Sequence, residues 1–256
     1  MRLESKVKIN VRGRSFGGDK NLACIPVMSE TKDALLEEIK FVVSLAPDII
    51  EWRADYFDKV SDCSCVKEAL YEMGPLLKNI PIIFTLRHIC EGGAKKYSQD
   101  VRLASIKAAL ETGYADIVDI EAANDKDFIE AVSATVRATG NKLIISYHDF
   151  EKTPAEKFII DKLREEQALG ADILKLAVMP KDFDDVLTLM RATYKARTKE
   201  GIEQPMITMS MGEEGKISRV IGDLYGSDMS FASGRSDSAP GQIPIADVKK
   251  LWDLLK

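Results

Sequence analysis

The chain has 256 residues, of which 45% are hydrophobic and 30% charged, and this composition excludes a disordered or fibrous protein. The formal net charge of -5 disfavours nucleic acid and anionic membranes as partners, although a small anionic ligand stays open because local arginines can outweigh the global charge. No apolar run approaches the roughly 20 residues of a membrane span, and the opening MRLESKVKINVRGRSF lacks the apolar segment of a secretory signal, so we expect a cytoplasmic protein.

Short runs rich in β-branched and apolar residues alternate along the chain with amphipathic helical patterns. The strand patterns are LACIPV, PDIIEWRAD, IPIIFTLR, ADIVDIE, KLIISYH, ADILKLAVMP, PMITMSM and the weaker DMSFAS, and helical patterns such as TKDALLEEIKFVVSLA and DVRLASIKAALETG lie between them. Eight such units over about 250 residues predict a single α/β domain, a closed (β/α)8 TIM barrel that spans residues 1–256. The first 20 residues are predicted to form an extended segment or hairpin that caps one end.

Polar residues mark the ends of several predicted helices. Thr31 and Thr153 are predicted N-caps, and four glycines are predicted left-handed residues at helix C-termini: Gly113, Gly140, Gly170 and Gly201. The four cysteines lack the pattern of a disulfide framework, so we expect free thiols. The two histidines are not spaced as zinc ligands, and no metal site is predicted.

The active site of a (β/α)8 barrel lies at the carboxyl ends of its strands, and this chain places charged residues there. In EWRAD the two-residue period of a strand puts Glu51, Arg53 and Asp55 on one face. Arg87 follows in FTLRHICEGG with Glu91 just beyond it, and in ISYHDF Ser146 and His148 share a face. Each residue alone is more often structural than catalytic, but their convergence predicts a pocket that carries chemistry.

Lys175 stands in the middle of the apolar run ADILKLAVMP. A buried ammonium is unfavourable unless it pairs with an anion or loses its proton. Two interpretations stay open: a lysine whose amine reaches water from a strand end, and a buried amine that acts as a nucleophile.

Later residues add an apolar wall and a cation to the predicted pocket. Met209 and Met211 end a strand, and Arg219 is placed at or near the start of the next helix, where a cation suits an anionic ligand. The segment GRSDSAPGQIP, residues 234 to 244, is predicted to be a mobile loop that covers the site as a lid. Core packing of the methionines and a passive loop are the alternatives.

A lysine, a histidine and a carboxylate that orients the histidine together point to imine catalysis. The lysine condenses with a ketone, the iminium withdraws electrons, and the histidine removes a proton from the adjacent carbon. A β-leaving group then departs.

Seven motifs carry a family resemblance in this order: EWRAD, EGG, HDF-x-KTP, LGAD-x-x-K-x-AVMP, PMITMSM, ISR and SAPGQI. On these the chain resembles the type I 3-dehydroquinate dehydratase family from residue 22 nearly to its C-terminus. The resemblance implies a homodimeric barrel, free of metal and organic cofactor, which converts 3-dehydroquinate to 3-dehydroshikimate and water in the shikimate route to aromatic amino acids.

The resemblance also implies a role for each matching residue. Lys175 resembles the Schiff-base lysine, and His148 the general acid/base that Glu91 orients. The substrate contacts implied by resemblance are Glu51, Arg53 and Arg87 near the hydroxyls, Arg219 at the carboxylate, Ser238 and Gln242 from the lid, and the apolar wall of Met209, Met211 and Phe231.

The chain departs from the family pattern at five positions, which are Pro26, His88, Tyr147, Asp228 and Asp237. These departures leave the imine machinery intact but put the substrate in question. They keep open a paralogue that acts on a related cyclic β-hydroxy ketone or in quinate breakdown. A non-catalytic barrel that binds a small carboxylate, and a Schiff-base aldolase, are further alternatives.

Overall fold

The structure is a computed structural model that describes residues 2–235 and 238–255. These residues contain a two-stranded antiparallel hairpin, β1 (Ile9–Val11) and β2 (Arg14–Phe16), and eight parallel strands. The parallel strands are β3 (Leu22–Val27), β4 (Ile49–Arg53), β5 (Ile82–Thr85), β6 (Ile117–Glu121), β7 (Lys142–Asp149), β8 (Ile173–Val178), β9 (Met206–Ser210) and β10 (Met229–Phe231).

Eight α-helices follow the parallel strands within the described residues. They are α1 (Lys32–Ser44), α2 (Cys63–Leu77), α3 (Gln99–Glu111), α4 (Lys126–Thr139), α5 (Glu156–Ala168), α6 (Phe183–Thr198), α7 (Gly212–Tyr225) and α8 (Ile245–Leu254). The strands pair in chain order from β3 to β9, and β10 pairs with β3. The predicted α/β fold, a (β/α)8 barrel with an N-terminal hairpin, is confirmed.

Asp228 joins the two strands at the last seam of the barrel. Its main-chain N–H donates to the carbonyl of Met206 at 2.7 Å, and its carboxylate accepts the N–H of Met206 at 2.7 Å. Arg2 and Arg197 both bind this buried carboxylate. Because Asp228 precedes β10, it lies at the amino end of the barrel and stabilises the fold, not the site that forms at the opposite end.

Isoleucines fill the amino-terminal half of the barrel interior. The strands β4 to β9 contribute one each, and all are fully buried: Ile49, Ile83, Ile117, Ile144, Ile173 and Ile207. Phe16 of the hairpin is buried in the same cluster, so the hairpin closes this end of the barrel. Polar side chains therefore occupy the interior only towards the carboxyl ends of the strands.

The predicted helix caps agree with the structure except at α5. The Thr31 hydroxyl accepts the N–H of Ala34 at the start of α1, and the four predicted glycines all have positive φ. Thr153 is not an N-cap, because α5 begins at Glu156 and the Thr153 hydroxyl donates to the carbonyl of Met179 at 3.0 Å. All four cysteines are free. Within the described ranges, each helix is too short or too polar to cross a membrane.

Candidate active site

One cavity opens at the carboxyl ends of the strands, with an empty volume of about 450 Å³. Every site residue predicted from the sequence lines it: Glu51, Arg53, Arg87, Glu91, His148, Lys175, Met209, Met211, Arg219, Phe231, Ser238 and Gln242. Phe150, Ala177 and Ala239 complete the wall. The barrel thus brings together residues that are separated by up to 191 positions along the chain.

Lys175 projects from β8 into the barrel interior and is 4% exposed. Its Nζ donates to Asp119 Oδ2 at 2.7 Å and lies 3.6 Å from Glu51 Oε1. The ring of Phe231 covers the amine, with its centroid 4.6 Å from Nζ. The structure shows a buried amine that is paired with an anion, and the role of this amine as a nucleophile stays a prediction.

Arg87 ties Asp119 to the neighbouring strands. Its Nη1 and Nη2 bind the two carboxylate oxygens of Asp119 at 3.0 and 2.8 Å, and Nη1 also binds Glu121 at 2.9 Å and the Ser146 hydroxyl at 2.7 Å. Burial acts to raise the pKa of Asp119, but the charges of Arg87 and Lys175 hold that pKa below its usual range. Asp119 is therefore an anion that two buried cations share.

His148 and Glu91 form a second pair at the cavity wall. Glu91 Oε2 lies 3.0 Å from His148 Nδ1 and also accepts the main-chain N–H of His148 at 2.9 Å. Burial, with the positive charges of Arg87 and Lys175, lowers the pKa of His148 well below its usual value, so the ring is neutral near pH 7. Burial also raises the pKa of Glu91 to about 7. The pair can therefore hold or release a proton near neutral pH.

Arg53 is bound by a carboxylate that lies outside the cavity lining. Asp55 accepts from Nε and Nη2 of Arg53, each at 2.9 Å, and it also accepts the N–H of Ala94 at 2.9 Å. Nη2 of Arg53 donates to the carbonyl of Gly92 as well. These bonds fix the loop after β5, and that loop carries Glu91.

Arg219 enters the cavity from the middle of α7, so its predicted position near the start of the helix is wrong. The helix already begins at Gly212, directly after β9, and Arg219 stands two turns along it. Its Nη2 donates to the carbonyl of Pro240 at 3.0 Å. The helix therefore contacts the predicted lid through this guanidinium.

The predicted lid contributes two polar residues that bind each other. Gln242 Oε1 accepts the N–H of Ser238 at 2.8 Å, and Gln242 Nε2 donates to the Ser238 hydroxyl at 2.9 Å. The acid at Asp237 lies outside the described residues. The mobility of the loop stays a prediction.

Three of the departures from the family pattern are not among the residues that line the cavity. Tyr147 packs on α5, with its ring centroid 5.6 Å from that of Phe158. His88 accepts the N–H of Cys90 at 3.2 Å and begins a short 3-10 turn. Pro26 is buried in β3 beyond the part of that strand that pairs with β10.

Asp119 and Phe150 are among the residues of the site that were not predicted from the sequence. Asp119 is the nearest anion to Lys175, and the period-two pattern of ADIVDIE already places Asp119 and Glu121 on one face. Phe150 follows HD in the HDF motif, and its ring stacks at 14° to that of His148 with 6.4 Å between centroids. Among residues 2–235 and 238–255, no group of three His, Cys, Asp or Glu side chains is arranged to hold a metal ion.

Comparison with known proteins gives one family. A family model described as type I 3-dehydroquinase matches residues 23–256. A 3-dehydroquinate dehydratase of Klebsiella pneumoniae (strain 342) is 42% identical over 247 residues, which cover 96% of this chain and 98% of the relative.

Two solved structures share the whole barrel. The crystal structure of 3-dehydroquinate dehydratase from Geobacillus kaustophilus HTA426 has a TM-score of 0.96 and 37% identity, and the match covers 100% of this chain and 98% of that one. The type I enzyme from Clostridium difficile, solved with covalently modified comenic acid, has a TM-score of 0.93 and 37% identity, with 98% of both chains covered.

Proposed function

The chain belongs to the type I 3-dehydroquinase family, whose members are hydro-lyases, and from that membership we propose that it dehydrates 3-dehydroquinate to 3-dehydroshikimate through a Schiff base on Lys175. One observation carries the proposal. The buried amine of Lys175 shares its cavity with the His148–Glu91 pair, so a nucleophile and a general base face one ligand.

The first step is the addition of the Lys175 amine, as the free base, to the ketone carbon. Before this attack the Lys175 ammonium passes one proton to His148. His148 then returns that proton to the carbonyl oxygen, which takes a second proton from the nitrogen and leaves as water, and the nitrogen becomes a positively charged imine. Asp119, 2.7 Å from Nζ, is the counter-ion of this nitrogen. Phe231 covers the amine and limits the access of water to it.

The second step is the removal of a proton from the carbon next to the imine. His148 takes it with Nε2, since its Nδ1 faces Glu91 at 3.0 Å. The electron pair left on this carbon expels the β-hydroxyl, which takes the proton from His148 and leaves as water. A further water then hydrolyses the imine and releases the product and the Lys175 ammonium.

Substrate binding is assigned to the remaining residues of the cavity. Arg219 holds the substrate carboxylate with a guanidinium, which suits a planar anion. Glu51, Arg53 and Arg87 face the hydroxyls, and Ser238 with Gln242 contacts the substrate from the lid. The methionines and Phe231 form the apolar wall.

We also propose that the 256 residues act as one catalytic domain in a cytoplasmic homodimer of the shikimate route. Exposed apolar side chains on α6 support an interface with a second copy: Phe183, Leu187 and Tyr194 project to the surface, and Ile217 is exposed on the neighbouring α7. Light scattering of the purified protein tests the dimer, and a monomer at micromolar concentration would contradict it.

Reduction with sodium borohydride in the presence of 3-dehydroquinate tests the mechanism. Intact-mass and peptide mass spectrometry should place a covalent adduct on Lys175, and product absorbance should rise in a parallel sample without borohydride. Lys175→Ala should lose both signals. Lys195→Ala removes a lysine that pairs with Glu156 outside the cavity, and it should lose neither.

Each alternative predicts a different result, and the aldolase is tested with a sugar phosphate in place of 3-dehydroquinate. Full turnover by Lys175→Ala would refute the Schiff base. Binding without adduct or product would indicate a non-catalytic barrel, and cleavage of a sugar phosphate would indicate an aldolase. Pro26, His88, Tyr147 and Asp228 do not line the cavity, so they give no support to a different cyclic ketone as substrate.

A further inference from the structure

The main chain of Lys175 contacts a second buried carboxyl group, which the proposed chemistry does not use. Glu166 lies in the last turn of α5 and is 0% exposed. Its Oε2 accepts the N–H of Lys175 at 3.0 Å. Lys175 is therefore held from both faces of the sheet, at its main chain by Glu166 and at its amine by Asp119.

The main chain rotates where it enters β8, shortly before Lys175. The N–H of Asp172 donates to the carbonyl of Leu143 on the side of β7, whereas the N–H of Leu174 donates to the carbonyl of Pro205 on the side of β9. In a regular strand, N–H groups two residues apart face the same neighbour. The chain therefore rotates between Asp172 and Leu174, as it also does between Asp48 and Ile50 at the start of β4. At β8 the bond from Glu166 is an additional contact that fixes Lys175 directly after this rotation.

Burial disfavours a charge on the Glu166 carboxyl. Burial raises its pKa well above the usual range, against the opposing effects of the Lys175 N–H and the charge of Lys162. Its Oε1 lacks a hydrogen-bond partner among the described residues. A neutral carboxyl and a glutamine amide present the same kind of acceptor, which makes the role testable by an isosteric change.

We infer that Glu166 is a positioning residue, which fixes the main chain of Lys175 so that Nζ meets the substrate carbonyl. This inference rests on the proposed function, because the attack of the amine requires a fixed position of Nζ relative to the substrate carbonyl. A reacting atom misplaced by about 1 Å costs on the order of 10²-fold in rate. Glu166 itself does not touch the substrate cavity.

The test compares three changes at Glu166 with a matched control. Glu166→Gln keeps the acceptor, Glu166→Leu removes it, and Glu166→Asp keeps the acid but shortens its reach. In the control, Asp116→Leu removes a carboxylate that accepts the N–H of Ile82 at 2.9 Å, near the amino end of the barrel. The readouts are kcat, KM for 3-dehydroquinate, the rate of borohydride-trapped adduct, and hydrogen exchange of the peptide that contains Lys175.

We expect Glu166→Gln to keep kcat within about threefold of wild type and to keep the pH profile. Glu166→Leu and Glu166→Asp should lower kcat and the rate of adduct formation by about 10²-fold, with little change in KM. Both impaired variants should exchange the Lys175 amide faster. Asp116→Leu should lower the melting temperature but keep kcat. A folded Glu166→Leu or Glu166→Asp with the wild-type adduct rate, or a Glu166→Gln as slow as Glu166→Leu, would overturn the inference.

Hydrogen exchange separates this inference from the proposed function. If the wild-type protein forms neither adduct nor product, the proposed function fails. Exchange of the Lys175 amide needs no substrate, so faster exchange in Glu166→Leu or Glu166→Asp would still support the fixing role of Glu166. Unchanged exchange in the folded variants would overturn it.

Discussion

Replacement of Asp119 by asparagine removes the anion that Lys175 and Arg87 share. Asp119 is 1% exposed, and its Oδ2 lies 2.7 Å from Lys175 Nζ and 2.8 Å from Arg87 Nη2. At 2.7 Å, two unit charges interact by about 6 kcal/mol at an effective dielectric constant of about 20, and the loss of hydration offsets part of this. Removal of one partner from a buried pair costs about 3–5 kcal/mol, because the other charge stays buried.

The loss of stability expected for Asp119→Asn is near the lower end of the range for a broken buried ion pair, because both cations keep a second anion. Arg87 keeps Glu121 at 2.9 Å, and Lys175 keeps Glu51 at 3.6 Å. We therefore expect the free energy of unfolding to fall by about 3 kcal/mol at pH 7. We also expect kcat to fall by about 10²-fold, because the imine nitrogen loses its nearest counter-ion.

The loss of stability should depend on pH. Burial acts to raise the pKa of Asp119, but Arg87 and Lys175 outweigh it, so the pKa in the folded state is lowered. A carboxyl with a lowered folded pKa contributes stability that is complete above its unfolded value of about 3.9 and is lost as the pH falls through the folded value. The difference between wild type and variant should therefore be full at pH 7 and should shrink below about pH 4.

Urea denaturation followed by circular dichroism, at pH 7 and at about pH 3.5, measures this difference. Asp58→Asn is the control, because it removes the same charge from a pair with Lys95 on the surface and should change the stability little. A change of less than about 1 kcal/mol at pH 7 in Asp119→Asn, or an equal change at both pH values, would refute the reasoning.

Three further predictions concern the base, the lid and a departure from the family pattern. Burial raises the pKa of Glu91 to about 7, and the ionised Glu91 accepts the Nδ1–H of His148. Wild-type kcat should therefore rise as the pH passes through about 7, and the pH profile of Glu91→Gln should lack this rise. In Gly241→Ala, the new Cβ would lie 2.0 Å from the carbonyl oxygen of Gly212 at a φ of +78°, so the lid cannot seat and steady-state kinetics should show KM raised by about tenfold. Tyr147→Asn should keep kcat and KM but lower the melting temperature by a few degrees, because the ring packs on α5 outside the cavity.

Each of these predictions has a result that contradicts it. A pH profile of Glu91→Gln that superimposes on that of wild type would exclude the pair as the titrating unit. Gly201→Ala has the same backbone strain, with φ +73°, but no atom within 4 Å of the new Cβ, so it should leave KM unchanged. If both glycine variants raise KM equally, contact with Gly212 is not the cause. A changed substrate preference in Tyr147→Asn would place Tyr147 in substrate recognition.

The sequence predicted the strand-end residues because a strand has a strict period of two. Glu51 with Arg53, and Lys175 within its apolar run, needed only this period and the rule that a barrel carries its site at the carboxyl ends. The same period in ADIVDIE marks Asp119 and Glu121, but two acids on one strand do not reveal which cations they meet. Arg87 and Lys175 reach Asp119 only when the strands are placed side by side.

Helix boundaries and contacts between layers could not be predicted from local pattern. The start of α7, GEEGK, carries no apolar residue and resembles a loop, so Arg219 was placed too close to the helix start. Thr153 has the residue type of an N-cap, yet its hydroxyl binds Met179 in the next loop. The contact of Glu166 with the Lys175 main chain joins a helix to a strand and leaves no periodic mark in the sequence.

The charge arrangement around Lys175 explains why a buried ion pair suits the proposed chemistry. A resting ammonium and an iminium nitrogen carry the same charge at nearly the same place, so Asp119 and Arg87 face an equal positive charge before and after the imine forms. Their mutual bonds at 2.8 and 3.0 Å therefore need not rearrange, and this limits the reorganisation energy of the step. The isoleucine layer beneath them keeps the dielectric constant low. A neutral residue at position 119 would be compatible with the free amine but would disfavour the iminium. The substitution Asp119→Asn should therefore change kcat more than KM.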